Sequence, residues 1–215
     1  MSTELNIPKG FILFVSGVPG VGKTTISYEL LRRNREFRII EETDILRDAL
    51  RGYNEYLVYA LGQPAKDLLK NTVIFEHGRL LSLEEAIQQC KIMSMPLNSI
   101  VSRQQRKGIS SIINGVHIVP ASMTEYINSP NIAFVNLYVT DCAVLQSRLL
   151  QRKSQAYTND KIQFVFRTNE ALYMNTERTA KRSKNIFNVD VSHRSIDETI
   201  SEITKCIQSC FCSGQ

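Results

Sequence analysis

Near the start of the chain, Gly17-Val18-Pro19-Gly20-Val21-Gly22-Lys23-Thr24 carries the spacing G-x-x-x-x-G-K-[ST]. Such a segment wraps phosphate. Its glycines let successive backbone N–H groups turn toward the same oxygens, its lysine adds a point charge, and the helix that follows contributes its positive N-terminal end. The Thr24 hydroxyl is the expected ligand for Mg²⁺, with Thr25 beside it at the head of that helix. A second reactive group follows in Glu41-Glu42-Thr43-Asp44-Ile45-Leu46-Arg47. An acid facing a transferred phosphoryl group accepts or orients the proton of an attacking hydroxyl, and Asp44 is the candidate. Thr43 or Asp44 also suits the N-cap of a helix starting at Ile45, and one side chain can do both.

Transfer of a phosphoryl group spreads charge over three equatorial oxygens, so cations are needed around it. Arg148 and Arg152 are four apart, on one face of a helix that Asp141 can cap, with Lys153 beside them and a polar stretch to Lys161 after them. Residues 148–161 therefore read as a lid, with a solvated helix face as the alternative. Arg47, one turn beyond Asp44, can grip a carboxylate or phosphate through two N–H groups, or pair with Asp48 or Glu42. His117, after Gly115, can bind the acceptor, polarise its hydroxyl, or serve as a structural hydrogen-bond donor. Arg103 and Arg167 are further cations for a substrate, each equally suited to solvent.

These groups need a scaffold. Residues 11–15 are continuously apolar, as in a strand covered on both faces. Helical spacing of Ile26, Leu30 and Leu31 follows, and residues 37–40 return as a second strand, making a βαβ unit. Further strands are expected at 109–116, 132–139 and 186–191. The expectation is an α/β, three-layer sandwich with a central, mostly parallel five-stranded sheet and a helical insertion after the second strand. That insertion, residues 45–107, breaks at Gly62-Gln63-Pro64 and Met95-Pro96 and would bind substrate over the sheet's carboxyl edge.

Composition narrows the choices. A chain of 215 residues that is 43% hydrophobic builds one domain, spanning 1–215, without internal repeats. The net charge of +5 suits an anionic ligand, but no lysine and arginine stripe interleaved with aromatics is present, so nucleic acid is not an expected partner. Residues 11–15 are too short a run to span a membrane, and the N-terminus has no signal-peptide pattern, so a soluble cytoplasmic protein is expected. Five cysteines, an odd number, point to reduced thiols. Cys206, Cys210 and Cys212 lack a fourth partner for zinc and are expected in a loose tail, residues 206–215. The ending Cys212-Ser213-Gly214-Gln215 fits a prenylation box only formally, since its middle residues are not aliphatic.

Ser111-Ile112-Ile113-Asn114-Gly115-Val116-His117-Ile118-Val119-Pro120 resembles the segment I-I-E-G-V-H-L-V-P of the 2-phosphoglycerate kinase family, P-loop kinases related to the zeta toxins and chloramphenicol phosphotransferase. Thr43 to Arg47 looks like that family's T-D-x-x-R, Phe164-Val165-Phe166-Arg167 like its F-x-x-I-R, residues 99–108 like the helix before its third strand, and residues 186–188 like its last strand. The resemblance implies a P-loop NTPase fold and transfer of the γ-phosphoryl group of ATP, with Mg²⁺, to a hydroxyl of a small anionic metabolite similar to 2-phosphoglycerate. ATP rather than GTP follows from the resemblance, as no N-K-x-D motif is visible. By the same likeness Arg167 would grip the acceptor's anion. The alternatives are a nucleotide-sugar, nucleoside or antibiotic kinase, and a regulatory module that binds nucleotide without transferring phosphate. Where the family has Glu at the end of the third strand this chain has Asn114, which carries no charge but can hold a metal-bound water.

Overall fold

A computed structural model describes residues 5–70, 74–75, 78–152 and 156–211. Cys212 with the rest of the formal prenylation box, and Lys153 and Ser154 of the expected lid, lie outside the described residues. Among those described, the order is β1 (Ile12–Ser16), α1 (Lys23–Arg33), β2 (Phe37–Glu42), α2 (Thr43–Leu61), α3 (Gln63–Leu69), α4 (Leu83–Lys107), β3 (Ser110–Asn114), β4 (Ile132–Tyr138), α5 (Cys142–Leu150), α6 (Asn159–Ala180), β5 (Ile186–Asp190) and α7 (Ile196–Ser209). The five strands form one sheet in the order β2-β3-β1-β4-β5, and every neighbouring pair is parallel.

The alternation of side chains along β1 explains the layers. Leu13 and Val15 face one way, into a core with Ile26 and Leu30 of α1, Leu149 of α5 and Ile203 of α7. Ile12 and Phe14 face the other way, against Met93 and Leu97 of α4 and Leu172 of α6. Each such side chain contributes about 1.5–3 kcal/mol on leaving water, which is why an unbroken apolar run settles as the central strand.

Parallel pairing puts all five carboxyl ends at one edge, and the strand order makes β2, β3 and β1 adjacent there. Val15 pairs with Asn114, and Asn114 with Glu42, so the phosphate loop after β1, Asn114 and the Glu42–Asp44 turn stand side by side. The βα turns of an open sheet meet in this way at its carboxyl edge. No helix among the described residues is long and apolar enough to cross a membrane.

Four expectations change. Met95-Pro96 does not break the chain; Pro96 lies inside the 25-residue α4. A proline there removes one backbone hydrogen bond. The loss is offset by the buried face Cys90, Met93, Leu97 and Val101, a Ser82–Glu85 capping box, and Gly108 in the left-handed conformation at the C-cap. The helix expected from Ile45 starts at Thr43, with Glu42 as an N-cap whose side chain makes no capping bond, so neither Thr43 nor Asp44 is the cap. Arg152 lies beyond the end of α5 rather than on it. The expected loose tail is ordered through Phe211: Cys206 is in α7, and Cys206, Cys210 and Phe211 pack against the core, the last edge-on to Phe11 at 5.6 Å.

Replacing Pro96 with Ala restores the missing donor without changing the buried face. Pro96→Ala is expected to raise unfolding stability by about 1–2 kcal/mol, less than the full helix-propensity difference because the unfolded chain also gains freedom. Urea denaturation checks it; unchanged or lower stability would mean that the proline ring itself packs productively.

Candidate active site

The loop after β1 is shaped by residues without side chains. Gly17 has φ +136°, and a Cβ there would lie 2.4 Å from the Leu137 carbonyl oxygen. Gly22 also needs a positive φ, +92°, but nothing stands near its missing Cβ, so that side stays open for a ligand. Val18 and Val21, 3% and 1% exposed, anchor the loop in the core. Lys23 Nζ donates to the Val18 carbonyl oxygen at 3.0 Å. Burial pulls its pKa down to about 8; the carboxylates of Asp44 and Glu42 oppose that shift and Arg152 adds to it.

A cavity of about 620 Å³ opens above this loop. Lys23, Thr24, Thr25, Glu42, Asp44, Asn114, Arg148 and Arg152 all line it. Thus the phosphate cradle, the candidate base and the two candidate lid arginines share one space. Among the described residues that line it, five cationic side chains, Lys23, Arg47, Arg79, Arg148 and Arg152, face two carboxylates, Glu42 and Asp44, a balance that favours a polyanion.

The cavity floor is a small hydrogen-bonded knot. Gly115 touches Thr43 so closely that a Cβ would sit 1.7 Å from Thr43 Oγ1. His117 lies fully buried beside them, its Nδ1 3.1 Å from Thr43 Oγ1 and its Nε2 3.4 Å from Arg47 Nη1. A guanidinium only donates, so Nε2 accepts and Nδ1 carries the proton that it donates to Thr43. Burial, reinforced by Arg47 and Lys23 and opposed by Asp44, lowers the His117 pKa to about 4, consistent with this neutral form. Arg47, 3% exposed, reaches Asp44 Oδ1 at 3.3 Å and Asp48 Oδ1 at 3.4 Å. The histidine therefore aims the arginine, and the arginine aims the candidate base.

On the opposite wall Arg148 Nη2 donates to the Val191 carbonyl oxygen at 2.6 Å and the Ser192 carbonyl oxygen at 3.4 Å. Partial burial lowers its pKa, against the pull of Asp190. Asp141 caps α5 by accepting from the Ala143 N–H at 2.8 Å.

The oxygen donors fit Mg²⁺. The Thr24 hydroxyl, the Glu42 carboxylate and Asn114 line one cavity, and the buried Asn114 Nδ2 has no hydrogen-bond partner among the described residues. No group of three His, Cys, Asp or Glu among the described residues could hold a metal alone. That is the pattern for an ion that completes its shell with water and nucleotide oxygens.

No family model matches the chain. Individual relatives do. It is 28% identical over 154 residues to a mevalonate-3-phosphate 5-kinase of Thermoplasma acidophilum, covering 69% of this chain and 71% of that one. It is 31% identical over 150 residues to a 2-phosphoglycerate kinase of Methanococcus maripaludis, covering 66% of this chain and 47% of that one. The chain thus spans about half the length of that 2-phosphoglycerate kinase. The fold matches a gluconokinase from Sinorhizobium meliloti with a TM-score of 0.55, 15% identity and coverage of 94% and 93%. The chain is thus similar to 2-phosphoglycerate kinases and to a mevalonate-3-phosphate 5-kinase, within a P-loop kinase fold.

Within this fold, several expected contacts are not made. His117 is beneath the floor instead of on the cavity wall, because its two ring nitrogens are occupied by Thr43 and Arg47; it positions other groups and touches no open space. Arg103 lies on the exposed side of α4, 3.4 Å from Gln104 Oε1, while Val101 and Gln104 turn inward. Arg167 is on the exposed side of α6, whose buried positions include Val165 and Asn169. Neither arginine lines the cavity. Sequence reasoning also passed over residues that do. Arg79, after α3, stacks over the Phe75 ring at 4.2 Å and pairs with Glu85 at 2.5 Å, and no motif marks it. Tyr157, 9% exposed, packs in the core at the end of the expected lid. Glu42 lines it too, as the last residue of β2.

The His117 site generates a pH dependence. Its folded pKa, about 4, lies below the 6.5 of an unhindered histidine. The unfolded chain therefore binds the extra proton, and this group's contribution is whole above pH 6.5 and disappears as pH falls from 6.5 to 4. Over that window wild type should lose about 3 kcal/mol more stability than His117→Gln. Denaturant titrations at several pH values measure this, and parallel curves for the two proteins would refute a buried neutral histidine.

Proposed function

We propose that this chain is a cytoplasmic enzyme, a single P-loop kinase domain, that transfers the γ-phosphoryl group of ATP, as its Mg²⁺ complex, to a hydroxyl of a small anionic metabolite of the 2-phosphoglycerate type. The observation that carries this reading is that Asp44 and Lys23 share one cavity and feel each other's charge. A cradle for the donor and a base for the acceptor are thus within one space. The relatives' named acceptors, 2-phosphoglycerate and mevalonate 3-phosphate, are both phosphorylated hydroxy acids, which suits the cationic lining.

Each residue has a defined task. Backbone N–H groups of the loop and Lys23 hold the nucleotide phosphates. Mg²⁺ would lie near Thr24 and lower the charge repulsion between phosphates and nucleophile. Asp44, aimed by Arg47, takes the proton of the acceptor hydroxyl as that oxygen bonds to the γ-phosphorus, and the bridging oxygen departs with ADP. Arg148 and Arg152 approach the equatorial oxygens, Arg148 exchanging the Val191 and Ser192 carbonyls for phosphate. Arg79 and Arg47 are placed for the acceptor's own anionic groups.

An ATP-consumption screen over phosphorylated hydroxy acids, nucleosides, nucleotide sugars and antibiotics tests the acceptor class. With the best acceptor, Asp44→Asn should cut turnover by about 10² to 10⁴ while ATP affinity stays nearly constant. Full turnover in that variant would remove Asp44 from the chemistry.

Lys23 supplies a second check. Its pKa of about 8 must rise when phosphate oxygens surround it. Nucleotide binding at pH 8 should therefore take up part of a proton, and affinity should weaken as pH rises further. Calorimetry of metal-free nucleotide in two buffers of different ionisation heat reads the uptake directly; identical heats would place Lys23 away from the phosphates.

A further inference from the structure

The acid expected at the end of the third strand is absent, yet an acid stands beside the vacant charge. Glu42 ends β2 in register with Asn114, which ends β3, and both line the cavity together with Thr24. The two carboxylates there are not equivalent. Asp44 is engaged by Arg47 at 3.3 Å. The Glu42 carboxylate makes no hydrogen bond or ion pair among the described residues, although its charge reaches Lys23. Asn114 is 3% exposed, and its Nδ2 has no hydrogen-bond partner among the described residues. A buried N–H group without a partner marks where an incoming oxygen belongs.

We propose that Glu42, not the residue ending β3, is the anionic partner of the metal's water shell, and that the Asn114 amide is satisfied by an oxygen of the bound metal–nucleotide complex. Rather than being lost, the negative charge has moved one strand along the sheet edge, across the Glu42–Asn114 pair. This inference rests on the kinase reading above. It adds that metal affinity and nucleotide affinity are carried by different residues: the carboxylate of β2 for the first, the loop after β1 for the second.

Mn²⁺ is the probe, with a non-hydrolysable ATP analogue held at saturation and free metal measured by electron paramagnetic resonance. Glu42→Gln keeps the side-chain volume and should weaken Mn²⁺ binding about tenfold or more, the usual effect of losing a group that orients metal-bound water. Affinity for the analogue in EDTA should be unchanged. Asn114→Asp, nearly isosteric, returns a carboxylate to β3, so the double variant Glu42→Gln/Asn114→Asp should regain most of the lost affinity. Wild-type Mn²⁺ affinity in Glu42→Gln, or no recovery in the double variant, overturns the inference while leaving the kinase reading intact. Failure of the wild-type protein to bind the analogue in EDTA would overturn the kinase reading and this inference with it.

Discussion

The contact between Gly115 and Thr43 is the constraint on which the site depends. Two strand ends can bring their functional residues together only if their turns pass through each other's space, and here the turn after β3 has no side chain where the hydroxyl of Thr43 sits. Any Cβ would push α2 away from the sheet edge. Because α2 starts at that point, Asp44 and Arg47 hang from its first turn, and the Thr43–His117–Arg47 chain of hydrogen bonds fixes their direction. The candidate base is therefore held from β3, a strand it does not follow.

The large features were readable because they rest on local rules. A continuous apolar run before a glycine-rich loop has few alternatives, and the five strands lie where apolar stretches were found, with ends shifted by no more than two residues; β2 runs two residues further, to Glu42, and β3 stops two earlier, at Asn114. Asp44, Lys23, Thr24, Asn114, Arg148 and Arg152 do meet in one cavity. What could not be read depends on tertiary context. Pro96 is a strong local breaker, overridden by a buried helix face. His117 was equally compatible with open space and with a buried pair of partners, and spacing carries no information on which one applies. Arg103, Arg167 and Arg79 differ only in which way a helix or loop turns; charge alone does not tell a cavity wall from solvent.

The electrostatics of the cavity follow from the same packing. Lys23 gives up part of its proton affinity on burial, and Arg148 is bound to backbone carbonyls, so the cations are held partly desolvated before any anion arrives. A phosphate bound there would replace weaker partners instead of water, a case of prepaid organisation.

The two-sided burial of β1 also bears on how the molecule comes apart. Leu13 and Val15 belong to one core, Ile12 and Phe14 to the other, and the strand is continuous with the phosphate loop. Neither helical layer can peel away without uncovering a side of the strand that the opposite layer also needs. The two cores should therefore exchange their amide hydrogens as one cooperative unit, with β1 protected longest. The outer half of α2, with Tyr53, Tyr56 and Tyr59 exposed, lacks that support, so opening there can occur while the phosphate loop remains folded.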